Sequence, residues 1–147
     1  MSDALLMVAA SETDADLFYA TRFLAGDPVI FLQTRGRKTL VLNDLEIGRG
    51  RKEARVDEVL SLRKKGGTAR AIADLLRDRG VSRCGVPHNF PLGLADRLRA
   101  LRIRVDGKPD PFFPERVRKA PEEVRAIEEV QRAAEAAVGT VEEVLRH

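Results

Sequence analysis

The fold class follows from residues 68–106, TARAIADLLRDRGVSRCGVPHNFPLGLADRLRALRIRVD, in which helical and extended patterns alternate. Thr68 offers an N-terminal cap, apolar residues recur after it at helical spacing, and Gly80 stands where a C-terminal cap belongs. The segment predicts, in order, a helix at 69–79, a strand at 83–86, a helix at 92–101 and a strand at 102–106. Strands joined through helices run parallel in one sheet, so part of the sheet is predicted to be parallel.

The residues before this segment add further strands to the same predicted sheet. The apolar run 4–10 predicts a buried strand, and the polar residues 11–16 offer caps for a short helix that carries Leu17, Phe18 and Tyr19. The remaining predictions are strands at 29–33 and 39–43 joined by a hairpin at 34–38, a loop or weak helix at 44–55, and a short strand at 56–62. The predicted fold class is α/β, with a mixed, partly parallel sheet flanked by helices.

The end of the chain predicts one long amphipathic helix. Pro121 suits the first helical turn, and Glu122 and Glu123 complement its positive end. Positions on one face then alternate by three and four, at Val124, Ile127, Gln131, Ala134, Val138, Val141 and Leu145. A helix of roughly 25 residues spans about 38 Å, which is long for a body of this size. We therefore predict a domain at 1–114 and a linker helix at 115–147, the alternative being a last core helix that folds back.

Composition restricts the class of protein. The chain has 147 residues, of which 44% are hydrophobic and 33% charged, too apolar for disorder and too charged for a membrane protein. The longest apolar run, 4–10, is far shorter than the roughly 20 residues of a membrane span. A net charge of +3 is too small for a dedicated nucleic-acid binder. We expect a soluble, cytoplasmic protein that binds neither membranes nor nucleic acid.

Two segments resemble the N-terminal domain of the creatinase and Xaa-Pro peptidase family, which includes prolidase and aminopeptidase P. The first is DLFYATRF at 16–23, which is similar to the family's Asn-Ile-Xaa-Tyr-Leu-Thr-Gly-Phe segment. The second, RVRKAPEEVRAIEEVQRAAEAA at 116–137, resembles the junction through which those proteins enter their catalytic domain. Four substitutions depart from the pattern: Asp16 replaces the usual Asn, Ala20 the Leu, Arg22 the Gly, and Ala120 a frequent Ser or Thr.

The resemblance implies a ribonuclease-H-like α/β domain at 1–114, with 115–147 leading to a C-terminal "pita-bread" catalytic domain that this sequence lacks. It implies that the missing domain holds two divalent metal ions through two Asp, one His and two Glu, none of which maps onto this chain. The full-length parent is expected to be a metallopeptidase acting on short proline-containing peptides. This chain alone is expected to have no catalytic or metal-binding residues, to form a homodimer, and to restrict access to the active site.

Five residues are candidates for an interface or a cleft-facing surface: Tyr19, Arg22, Phe23, His88 and Asn89. His88 and Asn89 follow a predicted strand, and ligands of open α/β sheets often bind beyond the carboxyl ends of strands. Cys84 is predicted to be a structural residue inside a buried strand, where burial raises the thiol pKa, and not a nucleophile. Asp106 and Asp110 are interpreted as turn formers.

Two alternatives to the peptidase domain remain open. The chain could be a non-enzymatic protein-interaction module from a catalytically inactive member of the same family. It could also bind nucleic acid, because the motif RGRK occurs at 35–38 and again at 49–52. Aromatic residues make up only 5% of the chain and none is interleaved with these motifs, so we interpret both as solvated loops.

Overall fold

A computed structural model describes residues 4–62 and 66–146, which form two compact units, Met1–Pro114 and Glu115–His147. The strands among these residues are β1 (Ala4–Ala9), β2 (Val29–Thr34), β3 (Arg37–Leu42), β4 (Glu58–Ser61), β5 (Arg83–Pro87) and β6 (Arg104–Lys108). The helices are α1 (Ala15–Thr21), α2 (Ile47–Glu53), α3 (Gly67–Asp78), α4 (Leu92–Ala100) and α5 (Pro121–Leu145), with a 3-10 turn at Pro114–Val117. No helix in these ranges is both long enough and apolar enough to cross a bilayer.

The strands of the described residues form one six-stranded sheet with the order β4-β3-β2-β1-β5-β6. β2 is antiparallel to β1 and to β3, whereas the pairs β3–β4, β1–β5 and β5–β6 are parallel. All strands except β2 therefore run in one direction. The predicted mixed, partly parallel sheet is confirmed.

The β2–β3 hairpin is tighter than the predicted loop 34–38. Thr34 pairs directly with Arg37, so the turn contains two residues, Arg35 and Gly36. Their φ values are 49° and 83°, the combination that a type I′ turn requires. Such a turn matches the right-handed twist of the strands, which lets both strands extend into the predicted loop.

Apolar side chains cover both faces of the sheet. On one face, α3 and α4 contribute Ile72, Leu76 and Leu98 to a cluster that also contains Leu6 and Cys84. On the other face, α1 and the segment after β6 pack Leu17, Phe112 and Phe113 against Phe31 and Leu40. The helices are thus divided between the two faces, as the predicted flanking arrangement requires.

Three local predictions differ from the structure. Residues 47–53 form α2, so the second RGRK motif lies on a helix and not in a loop. β6 begins at Arg104 and includes Gly107 and Lys108, so it starts and ends two residues later than the predicted strand 102–106. The interpretation of Asp106 as a turn former is wrong, because Asp106 lies within β6 and its Oδ2 is 2.6 Å from Nε of Arg83 on β5.

The unit Glu115–His147 consists mainly of α5, whose 25 residues match the predicted length. Pro121 begins the helix, and the backbone N–H of Ala120 donates to Oε2 of Glu123 at 2.9 Å. Glu123 thereby accepts a hydrogen bond from a backbone N–H at the start of the helix, which is one half of a capping box. The other half would need a side-chain acceptor at position 120, and alanine has none.

Candidate functional site

The carboxyl ends of β1 and β5 lie at one edge of the sheet. These strands are parallel neighbours, but the chain leaves them toward opposite faces. β1 continues into α1, whose Leu17 packs on one face, and β5 continues into α4, whose Leu98 packs on the other. Such a switch point is where open α/β sheets commonly place ligands. We call this edge, formed by residues 10–14 and 88–91, the carboxyl-edge site.

His88 and Asn89 belong to the carboxyl-edge site. Both are exposed, and they lie in a turn closed by a 3.0 Å hydrogen bond from the Phe90 N–H to the Pro87 carbonyl oxygen. Exposed imidazole and amide groups on a short turn can contact a ligand or a neighbouring domain without disturbing the core. The structure therefore places these two predicted site residues where sequence reasoning expected them.

Ser11 anchors the loop that follows β1, a role that the sequence did not predict. Its buried Oγ donates to the Phe23 carbonyl oxygen at 2.6 Å and accepts from the Ala25 N–H at 2.7 Å. The cap of α1 comes instead from Asp14, whose Oδ1 accepts from the Leu17 N–H at 2.9 Å. Ser11 thus fixes the chain that returns from α1 to β2, and Asp14 fixes the start of the helix.

Tyr19 and Arg22 form a second surface, away from the carboxyl-edge site. Seven helical residues carry the chain about 10 Å from the edge, toward the amino ends of the strands. There the Arg22 guanidinium carbon lies 5.3 Å from the centre of the Tyr19 ring, which in turn is 6.1 Å from the Phe113 ring. Both side chains are half-buried. The structure therefore brings Tyr19 and Arg22 together and keeps them apart from the turn of His88.

Arg22 has a left-handed backbone conformation, with φ 51° and ψ 23°. Its N–H donates to the Phe18 carbonyl oxygen at 2.7 Å and so ends α1. Thr21 braces this end, because its Oγ1 donates to the Leu17 carbonyl oxygen at 2.8 Å and accepts from the Phe23 N–H at 3.2 Å. The position that holds glycine in the family pattern thus has a conformation that glycine adopts most easily.

Phe23 is fully buried beneath these residues and offers no surface to a partner. The guanidinium carbon of Arg49 on α2 lies 4.5 Å from the centre of its ring. Phe23 therefore supports the loop from within the core, which corrects its prediction as an interface residue.

No protein-family model matches the sequence, and no curated protein matches it. Solved structures do match. The chain is similar to the Xaa-Pro dipeptidase from Bacillus anthracis (TM-score 0.76, 17% identity) over 95% of this chain and 38% of that one. It is similar to the X-Pro aminopeptidase from Thermotoga maritima (TM-score 0.75, 18% identity) over 97% of this chain and 42% of that one.

A third solved structure shows which part of such proteins the similarity concerns. It is the creatinase/prolidase N-terminal domain of an X-Pro dipeptidase from Streptococcus pyogenes (TM-score 0.55, 10% identity), matched over 74% of this chain and 82% of that one. The chain has the creatinase/prolidase N-terminal fold. The resemblance seen in the sequence is thereby confirmed at the level of fold, and the chain spans about two-fifths of the length of the two full peptidases.

The motif DLFYATRF has a structural explanation within the creatinase/prolidase N-terminal fold. Leu17, Thr21 and Phe23 are buried, and the Asp16 carboxylate accepts from the Phe113 N–H at 3.4 Å. These residues pack α1 on the sheet and hold the segment after β6 beside it. Most of the motif therefore maintains the fold, whereas Phe18 is exposed and Tyr19 and Arg22 are half-buried at the surface.

Cys84 is a structural residue, as the sequence predicted. It is fully buried in β5, and burial, with a smaller contribution from the Asp106 carboxylate, raises the pKa of its thiol to about 11. At neutral pH such a thiol is almost entirely protonated and is a poor nucleophile. Cys84 therefore contributes packing to the sheet.

The described residues of this creatinase/prolidase N-terminal fold do not fit a metal centre. Within 4–62 and 66–146, no three His, Cys, Asp or Glu side chains lie together as metal ligands would. His147, the second histidine, lies outside the described residues.

Proposed function

We propose that this chain is the non-catalytic N-terminal domain of a metal-dependent Xaa-Pro peptidase. The observation that carries the proposal is the extent of the structural match. The fold extends over 93–97% of this chain but only 37–42% of four full-length prolidases and Xaa-Pro aminopeptidases. The peptidase activity, the two divalent metal ions and all bond chemistry then belong to the catalytic domain of a parent protein, which we propose to be cytoplasmic.

The proposed task of this domain is to control access to the catalytic centre and to support a homodimer. Access control is assigned to the carboxyl-edge site, where His88 and Asn89 are exposed on a turn held by the end of β5. A rigid strand end is suited to excluding long peptides, and the last residues of β5, Val86 and Pro87, are held by pairing with β6. Short proline-containing peptides are the proposed substrates of the parent.

The proposal is tested first by comparing this chain with its parent. The chain of 147 residues, incubated with Mn²⁺ and an Xaa-Pro dipeptide, is expected to release no free proline. The parent, read from the gene beyond codon 147, is expected to contain two Asp, one His and two Glu as metal ligands and to hydrolyse the same dipeptide. Hydrolysis by the chain alone would contradict the proposal, whereas a parent without those ligands would make the chain an interaction module.

Access control is tested by substitutions at the turn after β5. In the parent enzyme, the double variant His88→Ala, Asn89→Ala is expected to change the ratio of kcat/KM between a dipeptide and a longer Xaa-Pro peptide. The matched control is Arg97→Ala, which removes an exposed side chain from α4. Equal ratios in the wild type and the double variant would refute access control by this turn.

The dimer is tested separately, by light scattering coupled to size-exclusion chromatography. A mass of twice 16.3 kDa is expected for the chain at micromolar concentration. A monomer at every accessible concentration would assign dimerisation to another part of the parent.

A further inference from the structure

A cleft at the edge of the sheet where β3 and β4 begin is lined by arginine side chains that have no role in the proposed function. It has a volume of about 400 Å³ and is lined by Thr34, Arg35, Arg37, Glu58 and Arg79. These residues come from the end of β2, the turn after it, the starts of β3 and β4, and the end of α3. The cleft, which we call the arginine cleft, therefore lies at the opposite end of the strands from the carboxyl-edge site.

The arginine cleft has an excess of positive charge. A single carboxylate, that of Glu58, faces three guanidinium groups. Its Oε2 contacts Nη2 of Arg79 and lies 3.9 Å from Nη2 of Arg37. The side chains of Arg79 and Glu58 are about three-quarters buried, so this pair is held in place at the base of the cleft. Two positive charges remain uncompensated among the residues that line the cleft.

Thr39 fixes the orientation of the buried pair. Its Oγ1, which is buried, donates to Oε2 of Glu58 at 3.3 Å and accepts from Nη2 of Arg79 at 3.3 Å. The Arg79 guanidinium therefore has a defined position before any ligand arrives. A pre-oriented guanidinium loses less conformational freedom on binding than a solvated one does.

Arg35 is the second, independent indication of a binding role. It has φ 49° in the first position of a type I′ turn, which strongly favours Asn, Asp or Gly. The side chain is exposed, and none of the residues that the structure describes forms a hydrogen bond or ion pair with it. Packing therefore does not explain an arginine at this strained position. The turn requires this backbone conformation but not an arginine side chain, and a residue type that the fold does not require at such a position points to function.

We propose that the arginine cleft binds a phosphate dianion, either as free phosphate or as the phosphoryl group of a monoester. Guanidinium groups present paired N–H donors that match phosphate oxygens, and the dianion matches the two uncompensated positive charges. Arg35 and Arg37 hold the anion from the turn and from β3. Arg79 remains paired with Glu58, and this ion pair forms the fixed base of the cleft behind the anion. This inference does not depend on the proposed peptidase parent.

The test is a titration of the ¹⁵N-labelled chain with inorganic phosphate at pH 7.5 and constant ionic strength. Saturable shifts are expected for the amides of residues 34–37, with a millimolar Kd. Arg35→Asn is expected to weaken binding about tenfold, the loss of one charge-assisted contact. It introduces Asn-Gly, which suits the turn, so the variant is expected to remain folded. Arg37→Gln provides a second variant with the same expected direction.

The control is Arg51→Gln, which removes one positive charge from the second RGRK motif on α2. Because Arg51 does not line the arginine cleft, this variant is expected to change the Kd for phosphate by less than about twofold. Glycerol phosphate distinguishes the two sources: affinity equal to or above that of inorganic phosphate assigns a monoester, and lower affinity assigns free phosphate. The proposal is overturned by no saturable shift at about 20 mM phosphate, well above a millimolar Kd. It is also overturned if acetate binds equally well, if Arg51→Gln weakens binding as much as Arg35→Asn, or if only an oligonucleotide binds.

Discussion

Two glycines of α2, one on each side of Arg49, are expected to respond in opposite ways to the same substitution. Gly50 is buried against the sheet, whereas Gly48 is exposed on the outer side of the helix. A Cβ built at Gly50 would overlap Cδ1 of Leu42 on β3 and lie 3.4 Å from Cγ1 of Val59 on β4. A Cβ built at Gly48 has no neighbour within 4 Å. The pair therefore separates helix propensity from close packing.

The expected sizes follow from these contacts. Replacing a helical glycine by alanine gains about 0.5–1 kcal/mol where the added methyl group is free, as at Gly48. At Gly50 the same gain is opposed by overpacking, which costs about 1–3 kcal/mol in a filled core. Leu42 is only 1% exposed, so its methyl group cannot move into solvent to relieve the overlap. We expect Gly48→Ala to stabilise the chain and Gly50→Ala to destabilise it by about 1–2 kcal/mol.

Urea unfolding of both variants measures this difference. The chain has one tyrosine and no tryptophan, so the fluorescence of Tyr19 reports the unfolding of the unit that contains α2. The comparison requires that the unfolding free energy of each variant has the same dependence on urea concentration, because only then does a change in the urea midpoint represent a change in stability. The reasoning is refuted if Gly50→Ala is as stable as Gly48→Ala, because α2 would then not lie against Leu42.

Three further predictions concern single side chains. The thiol of Cys84 is expected to resist a thiol reagent at pH 8 in the folded chain, because burial raises its pKa to about 11, and to react once urea unfolds the chain. Equal reaction rates in the folded and unfolded chain would contradict the burial of Cys84. Thr21→Val removes the acceptor of the buried Phe23 N–H and is expected to destabilise the chain by about 1–3 kcal/mol in urea, while Thr21→Ser, which keeps the hydroxyl, loses less. The hydrogen bond from Arg83 lowers the pKa of Asp106, so the stabilising effect of this ion pair is present above the ordinary Asp pKa of about 3.9 and is lost as pH falls through the lower, folded value. The Tm difference between the wild type and Asp106→Asn is therefore expected to shrink on acidification, and a difference that grows below pH 4 would contradict the assignment.

Local patterns were sufficient to predict most elements of the fold. The hairpin was indicated by Gly36 between two apolar runs, and α3 by its apolar stripe and Gly80, signals that lie within a few residues of the structure that they specify. The predicted cap at Thr68 is wrong, because α3 begins at Gly67 and Gly66 takes the N-cap position without a side-chain hydrogen bond. α2 was predicted only as a loop or weak helix, because Gly48 and Gly50 lower its helix propensity. It forms because Gly50 allows the helix to approach β3 closely, which is a tertiary effect without a local signal.

The site residues were harder to predict because their roles depend on partners distant in the sequence. The contact of Asp16 with Phe113 spans 97 residues, and Ser11 binds backbone groups 12 and 14 residues away. Neither partner is apparent from the local sequence. The alternation of strands and helices did place His88 after a strand, but it could not show that α1 carries Tyr19 away from that edge. The burial of Phe23 follows from the same long-range packing.

The two RGRK motifs show why a repeated basic sequence does not predict one function. In the second, Arg49 lies 3.1 Å from Glu46 and 3.2 Å from Glu53 and stacks on Phe23, so the charge of Arg49 is compensated. In the first, Arg35 and Arg37 line the arginine cleft together with Arg79 and a single carboxylate, that of Glu58, so the excess charge of the cleft lies in one small site. A nucleic acid needs a row of such sites, and each additional phosphate contact steepens the salt dependence. We therefore expect no gel shift of a single-stranded oligonucleotide even at about 50 mM salt, where phosphate contacts are strong. A shift at 50 mM that disappears at about 200 mM would show instead that both motifs act together on a polyanion.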